Sequence, residues 1–254
     1  MIDWGRLTLL FYILMRMSGF VLFNPLFGRS TIPGLVKSGM ILTLTWAVAG
    51  FTEGTAPVPT NILQFSVLLL LELALGYLLG LAMQFFFALI PQQAGEILDN
   101  QMALTMSKEY DPASQASLSV TSTLFTVLMG LLFFANNGQV TLLRILLSSG
   151  SLVPYGQVSI GSDAINTLVQ LFIECAVLGL KLALPVLAAE FLGQIGMGVL
   201  MKVIPQINVF SINIELKILI GLALLLLFIT PMSQFLLRAE NQMLSAVEQL
   251  LKLA

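Results

Sequence analysis

Of the 254 residues, 57% are hydrophobic and 9% are charged, and the mean hydropathy of +0.96 reflects more apolar surface than one globular core of this length could bury. The formal net charge of −2, without a basic run, removes the electrostatic footprint of nucleic-acid binding, and the absence of histidine removes His-based triads, HExxH zinc sites and haem ligation by His. The one cysteine, Cys175, lies in an apolar run and offers neither a disulfide framework nor a metal cluster, so the expectation is an all-α polytopic membrane protein with no cofactor.

In chain order, apolar runs bounded by Gly, Pro, Asn and charge fall at about 7–27, 38–51, 62–90, 119–143, 166–191 and 210–229, which predicts about six hydrophobic helices. The N-terminus carries Asp3 and Arg16 and no small-x-small cleavage pattern, so it reads as a retained first helix. The run 38–51 is too short to cross a hydrocarbon core of roughly 30 Å upright, whereas 62–90 is longer than needed. The connections "NPLFGRSTIPG", "TEGTAPVPTN", "SSGSLVPYGQVSIGSD" and "KVIPQINV" each hold Pro or Gly where a helix must stop. Beyond Pro231, the residues Phe235, Leu236, Met243, Leu244, Val247, Leu250 and Leu251 recur at helical spacing among polar ones, which predicts an amphipathic helix for a partner or the membrane surface. No repeat or low-complexity tract divides the chain, so 1–254 is expected to form one domain: N-terminal helices and a polar loop over 1–118, further helices over 119–230, and the tail 231–254. Arg29 and Lys37 weakly favour a cytoplasmic first loop.

Charges inside apolar runs are informative because each unpaired one costs on the order of 3 kcal/mol. Arg16, Glu72, Glu174 and Lys181 are such charges and should face protein or water. Glu174 and Lys181 are seven apart and share a helix face, either as an ion relay or as a pair fixing helix register; with no histidine to shuttle protons, the pair is the better reading. Glu72, Gly76 and Gly80 recur every fourth residue, a small-residue stripe suited to close helix packing or assembly. Gly179 with Ala183 and Ala189 with Gly193 repeat that spacing.

The stretch "GEILDNQMALTMSKEYDPASQAS" is a polar island carrying Glu96, Asp99, Lys108, Glu109 and Asp111. Tyr110-Asp111 and Gly161-Ser162-Asp163 loosely resemble the paired motifs of intramembrane aspartyl proteases. The second lacks a glycine before the Asp, and both aspartates lie in polar connections. Asp111-Pro112 reads better as an N-cap followed by proline, opening the next helix, and no enzyme is expected.

The sequence "KVIPQINVFSINIELKILIGL" resembles the PQ-x-NVF and LK signature near the C-terminal end of the FliR family. The island, "RSTIPGLVKSGM", "NPLFG" and "LALPVLAAEFL" resemble further segments of that family, in the same order over nearly the whole chain. Met102 and Ala103 stand where many relatives have Met-Gly, "NNGQ" replaces Asn-Gly-His, and "SINIELK" replaces a Gly-x-Pro-x-Lys pattern. The resemblance implies a non-enzymatic subunit of the flagellar type III export gate, in the bacterial inner membrane at the flagellar basal body, with helices arranged as hairpins partly above the usual membrane plane. It implies FliP-like and FliQ-like gate subunits and FlhB-like and FlhA-like export proteins as partners, and unfolded flagellar proteins as cargo. It further implies that Met102, Ala103, Leu104, Thr105, Met106, Ser107, Lys108, Glu109, Tyr110 and Asp111 form a plug: pliable methionines can fill an irregular constriction and withdraw. Pro205, Gln206, Asn208, Phe210 and Lys217 are expected at a polar turn and packing surface between the last two long helices, where buried amides need water, backbone or another subunit. The alternatives are a virulence type III secretion subunit and, in a different class, a self-contained secondary transporter or ion channel using Glu72, Glu174 and Lys181 at the midplane.

Overall fold

The computed structural model describes residues 4–28, 32–52, 54–56, 58–59, 61–104, 109–111, 116–203 and 209–253. Its elements are α1 (Trp4–Phe23), α2 (Gly34–Phe51), α3 (Ile62–Gln84), a π-helical turn (Phe85–Leu89), α4 (Ile90–Gln101), strands β1 (Glu109–Asp111) and β2 (Ala116–Leu118), α5 (Val120–Ala135), α6 (Gly138–Leu152), α7 (Ser162–Val203) and α8 (Val209–Leu253). Among the described residues, five helices are long and apolar enough to cross a membrane, or six with the broken pair α5 and α6 counted as one span. The fold is that of an all-α polytopic membrane protein.

Three local features differ from the expectation, each for a physical reason. The second helix starts at Gly34 behind Pro33 and reaches 18 residues, because Gly34–Lys37 extends it beyond the apolar run alone. The long third run is a helix interrupted by five π-helical residues: Pro91 has no N–H to give and its ring crowds the preceding turn, so the chain widens just before it. Asp111 does not open a helix. It pairs with Ala116 in a short antiparallel ladder, with Tyr110 opposite Ser117 and Glu109 opposite Leu118, and α5 begins only at Val120.

The chain forms two compact units, one of Met1–Phe86, Asn136–Ile173 and Asn241–Ala254, the other of Phe87–Ala135 and Glu174–Glu240. In the first, α1 packs along α3 and against α2. The stripe foreseen on α3 makes this possible: Gly76 meets the backbone at Arg16 and Phe20, and Gly80 meets Phe20 and Phe23, so the helices touch main chain to main chain. After α1, Asn24 closes the "NPLFG" turn, its Oδ1 accepting the Leu26 N–H at 2.8 Å and its Nδ2 donating to Met83 Sδ at 3.1 Å. In the second unit α4 packs on α5, and Phe87 meets Phe133 edge-on at 5.4 Å.

The tail's apolar stripe is buried within its own chain: Leu236, Met243, Val247, Leu250 and Leu251 are at most 1% exposed. It continues α8 without a break at Pro231.

Candidate functional site

Two buried polar clusters stand out among the described residues, one in each unit. In the first unit, α1 carries Arg16 and α3 carries Glu72, both 0% exposed. Arg16 Nε donates to Glu72 Oε2 at 2.6 Å, Nη1 donates to the carbonyl of Ser149 and, with Nη2, to that of Val153, all at 3.2 Å. The second Glu72 oxygen accepts the Gly156 N–H at 2.8 Å, and the guanidinium lies 4.2 Å over the Tyr155 ring. Gly156 has φ +78, a backbone state that glycine adopts without steric penalty. Burial pushes the Tyr155 phenol above its ordinary pKa, against the pull of Arg16 and its hydrogen bond with Ser149, so the ring stays neutral. A pair this fully hydrogen-bonded is a structural knot, since neither partner has a free face to offer an ion or proton.

The second cluster lies where the polar island leaves α4 and returns to α5. Asp99, 0% exposed in the last turn of α4, accepts the Thr121 N–H at 3.3 Å and also the Thr121 hydroxyl. Ser119, just before α5, accepts the Ser122 N–H at 3.0 Å through its Oγ, so it caps α5 where the sequence had suggested Asp111. Its hydroxyl also meets that of Ser122, which donates to the Gln92 carbonyl at 3.0 Å. Gly95 leaves no room for a Cβ against Ser122, so α4 and α5 approach closely.

Between these anchors runs the expected plug. Met102 is 0% exposed, and its thioether lies over Gly221 of α8, where an added Cβ would come 2.7 Å from the sulfur. Ala103 has φ +59, the left-handed state that ends the helix just past its last turn. Leu104 is half-buried, Thr105, Met106, Ser107 and Lys108 lie outside the described residues, and Glu109, Tyr110 and Asp111 form β1.

The remaining candidates separate. Glu174 and Lys181 are both exposed, and no ion pair joins them among the described residues. Lys217 is half-buried on α8, Phe210 contributes backbone to the same helix, and Pro205, Gln206 and Asn208 lie outside the described residues. The sequence reading singled out neither Ser149, Val153 and Tyr155 around Arg16 nor Asp99 with Thr121. For Asp99 a signal existed in "SVTS", Ser119 to Ser122, an N-cap pattern that places α5's start next to an acid left on α4.

A family model described as bacterial export proteins, family 1, matches residues 7–243. The chain is 30% identical over 224 residues to the flagellar biosynthetic protein FliR of Escherichia coli (strain K12), covering 86% of this chain and 83% of that protein. It is 29% identical over 244 residues to the flagellar biosynthetic protein FliR of Pectobacterium carotovorum subsp. carotovorum, covering 93% and 90%. The surface presentation of antigens protein SpaR of Salmonella typhimurium is 26% identical over 217 residues, covering 85% and 81%.

Proposed function

We propose a function from one premise: this chain belongs to the bacterial export proteins, family 1. It acts as a helical subunit of the flagellar type III protein export apparatus, in the bacterial inner membrane, and helps form the gate through which unfolded flagellar proteins leave. The observation that carries this reading is the match to flagellar relatives over 83% and 90% of their own lengths. The role is structural, and energy comes from partner proteins. FliP-like, FliQ-like, FlhB-like and FlhA-like proteins are the proposed partners.

Within that gate, 102–111 serves as the resting plug. The buried Met102 at its start and the pairing of 109–111 with 116–118 support the reading. A self-contained transporter is disfavoured because Glu72, which it would need at a midplane site, already has both oxygens occupied by Arg16 and Gly156. Deleting Ala103 to Tyr110 should leave complex assembly intact on native gels while cells lose membrane potential and grow poorly on overproduction. Normal potential in cells containing the assembled deletion complex would refute the plug. Purification of the wild-type chain as a transport-competent homo-oligomer would refute the gate.

A further inference from the structure

We propose that the cleft between the C-terminal end of α2 and α6 binds the headgroup of a phosphatidylethanolamine-type phospholipid, an inference that stands independently of the gate reading. The cleft measures about 480 Å³, and its walls include Phe51 and Thr52 from the end of α2 and Arg144, Leu147, Ser148 and Ser151 from α6. Ser148 and Ser151 lie one and two turns beyond Arg144, so α6 presents all three on one face. Arg144 is exposed, and no acidic side chain pairs with it among the described residues.

The hydroxyls complement this cation. Thr52 donates to the Val48 carbonyl at 2.8 Å, Ser148 to that of Ile145 at 3.2 Å and Ser151 to that of Ser148 at 2.7 Å. With their protons committed, these oxygens offer the cleft lone pairs only. The C-terminal ends of α2 and α6, whose last carbonyls carry partial negative charge, lie beside them. One part of the cleft therefore attracts an anion and another attracts a cation that can donate hydrogen bonds. A phosphate joined by two carbons to an ammonium has that pairing; a choline headgroup has the charges without N–H donors, and free phosphate has the anion alone. Depth argues for a lipid. The 18 residues of α2 are apolar enough to cross a membrane and rise ~27 Å, so the end of the helix lies at headgroup level. Trp46 and Phe51, both exposed in its last two turns, are of the aromatic type that settles at that interface.

The test titrates the full chain, delipidated in a mild detergent, with phosphatidylethanolamine, phosphatidylcholine or inorganic phosphate, and counts bound ligand by native mass spectrometry. Wild type should hold phosphatidylethanolamine about tenfold more tightly than phosphatidylcholine. Arg144→Gln should weaken that binding by about tenfold, the factor expected from one lost charge-assisted hydrogen bond. Ser151→Leu, a change at an exposed position, fills the cleft while leaving Arg144 in place and should weaken it likewise at an unchanged melting temperature. Wild-type retention of phosphatidylethanolamine by both variants would overturn the site. Equal retention of phosphatidylcholine would overturn the ethanolamine headgroup as its occupant. Occupancy by inorganic phosphate with no preference for lipid would make the cleft a plain anion site and overturn the proposal. Absence of any bound lipid from wild type, the result expected if a partner's carboxylate covers Arg144, would overturn it as well.

Discussion

Removing Arg16 would leave Glu72 as a buried carboxylate with only the Gly156 N–H for company. Breaking a buried pair from one side costs about 3–5 kcal/mol, so Arg16→Met should sharply lower the melting temperature of the purified protein in detergent. The double variant Arg16→Met, Glu72→Leu removes the stranded charge and should recover most of that loss. Equal destabilisation of single and double variants would show that the Ser149, Val153 and Tyr155 contacts, not the charge pair, hold this knot. A second residue prediction concerns Ala103, whose φ of +59 burdens a side chain that glycine lacks. Ala103→Gly should stabilise by about 0.5–1 kcal/mol, visible as a small rise in melting temperature. The sequence asked the charges in apolar runs to face protein or water, and Arg16 and Glu72 face protein. Their pairing was not legible: Arg16 and Glu72 are separated by 56 positions, and composition treats Glu174 and Lys181 identically although both are exposed.

For the helices as elements, the four-residue spacing of small residues named the face by which α3 is packed, and the packed neighbour is α1 of the same chain. The glycines differ in what a methyl group would meet. Gly76 faces the Arg16 carbonyl with no space, Gly80 faces the Phe23 backbone at 3.1 Å, and Gly39 faces nothing within 4 Å. Gly76→Ala should therefore push α1 from α3, cost about 1–3 kcal/mol and disturb the Arg16 knot one turn away. Gly80→Ala should cost less. Gly39→Ala should be neutral or slightly stabilising, because it removes helix-interior glycine entropy without a clash. Melting temperatures in that order would support the packing account, and an insensitive Gly76 would end it. The π-helical turn was the least legible element: the run 62–90 was read as one long apolar segment, and whether a helix ahead of Pro91 kinks, breaks or widens depends on what packs beside it.

At the scale of the molecule, the first unit gathers three separated stretches, and the last of them, Asn241–Ala254, is the end of α8. Its spacing was legible as amphipathic, but a stripe of apolar residues does not say which surface covers it. Here Met243, Val247, Leu250 and Leu251 are at most 1% exposed, while Asn241, Gln242, Ser245, Glu248, Gln249 and Lys252 face outward. Burying each such aliphatic side chain is worth roughly 1.5–3 kcal/mol. The exposed Glu248–Lys252 pair at 2.8 Å contributes only about 0.3–0.5 kcal/mol. Deleting Asn241–Ala254 should thus destabilise the isolated chain, raising hydrogen exchange in the rest of the first unit before any partner is added. Lys252→Ala should change little, and Val247→Ala should lie between. A tail serving mainly as a partner's docking surface makes the opposite prediction: exchange in the isolated truncated chain would match the full-length chain, and only complex formation would be lost.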